Sequence, residues 1–569
     1  MPVSGTAARM GVSLRSGAGM LLLLPIAAIA ADATNPLTSP GAVLPELLRP
    51  AGETFQLPPV PMPAPAAADP RDSARIRFGR AEFRGNHVIR TDELEAVAAP
   101  YLARDITAGE LEELRQKLTR LYVDRGYVNS GALLVSGTAG GAVVFDLVEG
   151  RLLGVRVAGL ERLHENYVVR RLVREGDGPL NLAVLRERFS LLLGDPLFAR
   201  LNGRLTPGDR PGEAYFDVDV VRATPYQLRA SVNNYRPPSI GSQTFSLNGT
   251  LRNLSGLGDQ LDVGLQQSVE NSSGSRSNMA WRVPLGYHGT QLSLALDRGS
   301  SSVIEEPTNV LGISSKLRSD ELGLSQTLFE SLQHKVSVGV DRIVRRNDTF
   351  LSGVPFSFNP GEPSGVTKER VWRVWQDYTY RSQTTVLALR STFTSGRNNL
   401  QVVAGLPGVN NPKPEFSSWL GQAQVAHQVL GDGAQVVGRL TMQRTGDRLL
   451  AIDGMAIGGV NTVRGFRENQ LVRDNGSIVN LEFEYPLLRG SGGNLGLTLV
   501  PFYDFGRAAN HGGAAERLSS WGLVSRARWQ GVSLDVVLAK RLVSPTIAKP
   551  LKSTLQDNGI HIQLSYSFL

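Results

Sequence analysis

From Thr224 to Leu569 apolar residues return at every second position. The stretch "QLSLALD" carries Leu292, Leu294 and Leu296, and "KVSVGVD" carries Val336, Val338 and Val340. "LEFEYP" carries Leu481, Phe483 and Tyr485, and "HIQLSYSF" carries Ile562, Leu564, Tyr566 and Phe568. The positions between are small or polar. A period of two describes strands with one face toward an apolar medium and the other toward a polar interior. With about 20 residues for each strand and its connection, roughly sixteen strands fit. A soluble sandwich alternates in the same way. The length of this region, a leader segment at the N-terminus and an ending on a strand favour a mainly β fold, an antiparallel outer-membrane β-barrel over 224–569.

The pattern ahead of it is different. "RIRFGRAEFRGN" alternates through Ile76, Phe78, Ala81 and Phe83 and reads as one strand ending at Gly85-Asn86. Two helical stretches follow. The second opens on Thr107-Ala108-Gly109-Glu110, a capping box in which the two side chains satisfy each other's free N–H groups. Leu111, Leu114, Leu118, Leu121 and Tyr122 then mark one helical face. "GYVNSGALLVSG" and "AVVFDLVEG" supply two more strands, so 74–150 runs β-α-α-β-β. The order repeats over 151–223: a strand in "RLLGVRVAGLERL", a helix with Tyr167, Val168 and Leu172, and a second helix capped by Asn181. That helix carries Leu182, Leu185, Phe189 and Leu192, and "PLFARLNGRLTPG" and "EAYFDVDVVRA" close the unit. Two adjacent copies of one pattern form an internal repeat.

The remaining N-terminal residues predict a processed leader. Met20–Ala30 is an apolar run behind Arg9 and Arg15 that ends on Ala28-Ile29-Ala30, the pattern of a secretory signal peptide over 1–30. Residues 31–73 follow as a Pro/Ala-rich, extended linker. Within it Ser39–Arg49 is a short helical candidate interrupted by Pro45.

Composition narrows the function. The 569 residues include no cysteine, so an exported chain of this size is held by sheet and core alone. The 60 basic and 52 acidic residues give a net charge of +8, with no block of Lys/Arg that would form a nucleic-acid groove. That excess favours anionic lipid surfaces or a basic lumen. No P-loop, GxSxG, HExxH or GxGxxG occurs, and no histidine pair has metal-ligand spacing. "GLGDQ" at Gly256 and "GSGGNLG" at Gly490 read as barrel turns. The chain is expected to be neither an enzyme nor a cofactor or metal binder.

The carboxylates say more. Alternation that turns Leu481, Phe483 and Tyr485 to lipid turns Glu482 and Glu484 inward. In "LTLVPFYDFGRA", Leu497, Leu499 and Tyr503 face outward and Phe502, Asp504 and Gly506 inward. Such acids are either a solvated lining or a latch for something basic. The basic, glycine-hinged candidate is "GGVNTVRGFRENQ", Gly458–Gln470.

Here the residues resemble the outer-membrane transporters of two-partner secretion, the TpsB family of POTRA-barrel translocases. Gly458, Gly459, Val463, Arg464, Gly465 and Phe466 match the VRG[FY] motif of the sixth extracellular loop. Phe502, Asp504 and Gly506 match the FxDxG strand motif, and the two repeats look like paired POTRA domains. The resemblance implies that Arg464 reaches the inner wall and pairs with Asp504. In a wet lumen such a pair adds about 1 kcal/mol or less. It also implies a secreted exoprotein as partner, resembling a haemagglutinin, haemolysin or adhesin. Its N-terminal secretion domain would engage POTRA domains in the periplasm, and its folding outside would drive export. Contact with outer-membrane lipid, insertion by the barrel-assembly machinery and a monomeric pore follow from the same resemblance. The Ser39–Arg49 segment stands where the family often has a plug helix, and the chain ends Phe568-Leu569 where barrels usually end in phenylalanine. An insertase of barrel proteins, which usually carries more POTRA domains, is the alternative. A passive porin leaves the repeats unexplained, and an autotransporter would carry an elongated β passenger.

Overall fold

In the computed structural model, residues 75–137, 142–270, 274–402, 411–431, 433–490, 495–545 and 550–568 are described, with the two-residue strand Phe55–Gln56. The signal peptide, the Ser39–Arg49 segment, Leu569 and most of the linker lie outside them.

The first periplasmic unit departs from the expected order in one respect. The strand expected over Ile76–Phe83 is broken at Gly79 into Arg75–Phe78 and Arg80–Arg84. The two pieces pair with different partners. Arg75–Phe78 pairs with an extra strand, Arg104–Thr107, between the two helices, while Arg80–Arg84 runs parallel to Ala142–Val148. The four-residue strand 104–107 is too short to show a period of its own. The helices Thr91–Ala98 and Ala108–Asp124 pack Leu94, Leu114, Leu118 and Tyr122 against Phe145 in one dry core.

The expected capping box is present: Glu110 N–H donates to Thr107 Oγ1 at 3.2 Å, and Thr107 N–H donates to Glu110 Oε2 at 2.8 Å. Thr107→Ala is expected to cost about 1 kcal/mol. Amide exchange at the start of helix 108–124 would then rise about fivefold, and unchanged exchange would refute the cap.

The second unit repeats the arrangement with strands Arg151–Ala158, Phe198–Pro207 and Glu213–Arg222 and helices Asn166–Leu172 and Leu182–Leu193. Asn181 caps the second helix as expected, accepting from the N–H of Ala183. Phe189 and Phe216 meet edge to face in its core, 5.7 Å apart. Tyr167 is buried there, which raises its phenol above the usual range, and its hydroxyl donates to Asp195 Oδ2 at 2.6 Å. Gly203 is needed for this packing, since a Cβ would sit 2.6 Å from the Phe216 ring.

Sixteen antiparallel strands close the barrel, the first (Tyr226–Asn233) pairing with the last (Ile560–Ser567). "GLGDQ" lies in the turn between the strands Thr244–Arg252 and Gln260–Ser268, as expected, and Gly256 C=O accepts from His164 N–H, which ties the second unit to the barrel's periplasmic rim. Exposed Leu294, Leu296, Leu481, Tyr485, Leu564 and Tyr566 lie on the outer face, as the alternation predicts. Among the described residues no helix is long and apolar enough to cross a membrane.

The sixth outer loop, residues 445–474, joins strand eleven (Gln435–Arg444) to strand twelve (Asn475–Leu488). It does not project outward. A small hairpin, Met455–Ile457 against Leu471–Arg473, carries it back inside the barrel, where Val463 and Phe466 are fully buried with Ile478, Ala508 and Leu518 of the wall.

Candidate functional site

The wall beneath this loop is built by register. Asn480 of strand twelve stands opposite Asp504 of strand thirteen (Gly496–Ala509), and Asp504 opposite Ser520 of strand fourteen (Glu516–Trp529). The rows on either side are Glu482, Phe502, Gly522 and Ile478, Gly506, Leu518. All point inward, because strand alternation sends every second residue to the lumen.

Arg464 fills the centre of this surface. Its Nε and Nη2 donate to Asp504 Oδ2 and Oδ1, both at 2.7 Å, a two-pronged fit of guanidinium to carboxylate. Its backbone N–H donates to Asp504 Oδ2 at 3.0 Å, and Nη1 reaches Glu482 Oε1 at 2.7 Å. The guanidinium lies 3.7 Å above the Phe502 ring, so the aromatic of the strand motif forms its floor. Asn480 Nδ2 donates to Asp504 Oδ1 at 2.8 Å and to Thr462 C=O, and Ser520 Oγ donates to Arg464 C=O.

The motif glycines have steric roles. A Cβ on Gly506 would lie 2.6 Å from Ile457 Cγ2 and 2.9 Å from Val463 Cγ2, so its bare backbone is the seat on which the loop rests. Gly465 adopts φ +85°, in the left-handed region, with Ala539 too close to admit a Cβ. Its N–H donates to His561 Nε2 at 3.2 Å and its C=O accepts from Arg541 Nε at 2.6 Å.

The expected pair of Arg464 and Asp504 is therefore present, but its setting differs from the expectation. The lumen is not wet here. Arg464 is 5 % exposed and Asp504 not at all, because the loop covers them. The two lumenal acids also part company. Glu482 joins the latch and pairs with Arg439 at 2.9 Å, whereas Glu484 lies nearer the periplasm and accepts from Arg526 at 2.7 Å and Gln435. Glu484 is wall lining.

Sequence reasoning missed two further anchors of the same loop. Asp453 at the loop's first turn accepts from Arg345 Nη1 of strand seven (His334–Leu351) at 2.8 Å, and Arg345 also holds Glu369 of strand eight (Val366–Arg381) at 3.1 Å. Arg467, next to the motif, donates to Asp557 at 2.6 and 2.9 Å and to Glu305 at 2.8 Å. The alternation could have flagged Arg345 and Glu369 as inward charges. Their meeting with Asp453 depends on where the loop folds. The arrangement holds no group of acids or histidines suited to a metal among the described residues. What it can do is hold one long loop inside a barrel, tied to the wall through Arg464 and Asp453 and to two neighbouring outer connections through Arg467.

The family described as haemolysin secretion/activation protein ShlB/FhaC/HecB matches residues 212–528, more than half of the chain, and the ShlB-type POTRA domain matches 78–150. The chain belongs to this family. It is a two-partner secretion transporter of the outer membrane, with its POTRA domains in the periplasm. Among curated relatives, the outer membrane transporter CdiB of Dickeya dadantii (strain 3937) is 24% identical over 449 residues, 76% of this chain and 77% of its own. The heme/hemopexin transporter protein HuxB of Haemophilus influenzae is 21% identical over 508 residues, 84% of each chain. The solved structure of CdiB from Escherichia coli shares the fold, with a TM-score of 0.66, 20% identity and 97% of each chain covered.

Proposed function

We propose that this transporter exports one large exoprotein of the haemagglutinin, haemolysin or adhesin kind, captured in the periplasm through its N-terminal secretion domain. The observation that carries this reading is an apolar strand edge that is open among the described residues. In the first POTRA sheet Gly131–Gly137 is the outer strand, bonded on one side to Ala142–Val148. Thr119 and Arg115 take up the N–H and C=O of Ala132, and the strand then runs on past the helix as Leu133, Leu134 and Val135, all exposed. An extended chain adding there gains main-chain hydrogen bonds without a set sequence, and the apolar side chains supply contact area. The matching edge of the second unit is already occupied, because Phe55–Gln56 runs parallel to Gly203–Arg204.

In this reading the chain is a monomeric pore, inserted by the barrel-assembly machinery, and performs no covalent chemistry. The family match does not favour the insertase alternative.

The test is the amount of the partner exoprotein in the medium. Deleting the transporter is expected to abolish it. Restoring the chain as Leu134→Asp with Val135→Asp is expected to leave secretion at least tenfold below wild type, with equal barrel in the membrane. Full secretion without the transporter would sink the export reading. Full secretion by the double variant would move the capture site elsewhere.

A further inference from the structure

The lipid side of the barrel carries a row of like charges. Across the ladder Arg298 of strand five (Thr290–Ser302) stands opposite Arg318 of strand six (Ile313–Glu330). Arg318 stands opposite Arg346 of strand seven (His334–Leu351), and Arg346 opposite Lys368 of strand eight (Val366–Arg381). Their side chains point outward: Arg318, Arg346 and Lys368 are exposed, while their strand neighbours Leu317, Arg345 and Glu369 are buried. Lys316 extends the patch one step above Arg318 and Arg370 one step below Lys368, both exposed.

Like charges directly opposite one another destabilise a sheet. Here three successive strand pairs place cation against cation. Two carboxylates relieve part of it, Asp320 accepting from Arg298 and Asp348 accepting from Arg346 at 2.9 Å. Arg318, Lys368 and Arg370 have no carboxylate partner among the described residues. Such an arrangement is stable when an anion bridges the row.

The height of the row identifies the anion's surroundings. The first strand leaves the periplasmic units at Tyr226, so Ser302, Ile313, Leu351 and Val366 lie at the outer end of the wall. Below Arg318 the same strand continues on its outer face through exposed Leu322 and Leu324 to Phe329 beside the periplasmic turn. At ~3.4 Å per residue and a tilt of ~40°, Arg318 stands about 28 Å above Phe329, the far edge of the apolar band. Trp372, exposed just below the row with Arg342 5.4 Å from its ring, marks the same boundary. Beside the row an open groove of about 790 Å³ runs from Phe245, Leu247 and Leu265 across the small side chains of Ser275, Ser277 and Ser300 to a border of Arg298, Lys316 and Arg318. The face thus combines an apolar bed with a cationic rim at headgroup depth.

We propose that the outer wall from the strand Thr244–Arg252 to strand eight binds the phosphorylated glycolipid of the outer leaflet. Arg318, Lys368 and Lys316 hold its phosphates, and an acyl chain lies along the Phe245–Leu265 groove. Arginine suits this task because its fork matches two phosphate oxygens at once. The inference rests on the outer-membrane barrel and not on the cargo, so failure of the export reading leaves it standing.

The test uses the full chain in detergent, with wild type compared to Arg318→Gln combined with Lys368→Gln. Among the described residues neither side chain has a carboxylate partner whose loss would disturb folding, and equal heat-modifiable migration checks this. Probes are bisphosphorylated lipid A, its phosphate-free form, phosphatidylglycerol and inorganic phosphate, with binding read by native mass spectrometry. At roughly a kcal/mol for each cation near an anionic surface, the double variant is expected to bind bisphosphorylated lipid A about thirtyfold more weakly. Phosphate-free lipid is expected to bind wild type no better than it binds the variant. Equal binding of lipid A by both proteins overturns the proposal. So does equal binding of phosphate-free lipid or phosphatidylglycerol to wild type, and so does displacement of lipid A by millimolar inorganic phosphate.

Discussion

Arg464→Ala is expected to abolish export and to lower the temperature at which the barrel loses its compact form in detergent. Alanine removes the three guanidinium bonds, two to Asp504 and one to Glu482, and leaves the buried Asp504 carboxylate without its counter-charge. Glu482 keeps Arg439, but Asp504 keeps only Asn480 and the loop N–H. Breaking a buried pair by deleting one partner costs about 3–5 kcal/mol, far above the value of a pair in water. Arg464→Lys retains the charge and is still expected to lose most of the function, since an ammonium cannot fork across both Asp504 oxygens or lie flat on Phe502. Asp504→Asn should be milder, because Glu482 still holds the guanidinium through Nη1. Exoprotein in the medium and heat-modifiable migration are the two readouts. Wild-type values of both for Arg464→Ala would show that the latch is ornamental.

Gly506→Val is expected to fail as completely while altering no charge. The new side chain starts 2.6 Å from Ile457 and 2.9 Å from Val463, two branched residues backed by the wall and unable to withdraw. The loop must lift, and lifting it draws Arg464 off Asp504 and admits water to the pair. Overpacking costs typically 1–3 kcal/mol in a core that can yield. Here the strain is relieved by unseating the loop, so export should be lost with the barrel still inserted. Comparing the variants separates two roles. If Gly506→Val secretes normally while Arg464→Ala does not, the buried charge pair matters in itself. If both fail alike, what matters is where the loop sits.

These expectations show how far the linear chain goes. Period-two alternation marked the barrel and turned Phe502, Asp504 and Gly506 inward, because a strand between lipid and lumen admits only that pattern. The capping box at Thr107 and the Asn181 cap were legible, since a cap is satisfied within three residues. The VRGF loop and its partner strand were legible as motifs.

Other features were decided by register and burial. That Asn480, Asp504 and Ser520 form one row, that Glu482 joins Arg464 while Glu484 goes to Arg526, and that Arg345 meets Asp453 all depend on which residues of distant strands are paired. A shift of two residues would exchange every one of those partners while leaving the alternation intact. The break of the first POTRA strand at Gly79 is likewise imposed by two different neighbours. The dryness of the latch belongs to the tertiary structure as well. A charge's environment is set by what covers it, and the cover here is a loop that folds back because its own arginine has a carboxylate to reach. The sequence by itself determined the barrel, the paired periplasmic units and the two motifs that carry Arg464 and Asp504. Only the folded chain decided that the latch is buried, since burial is a property of neighbours brought together from across the chain.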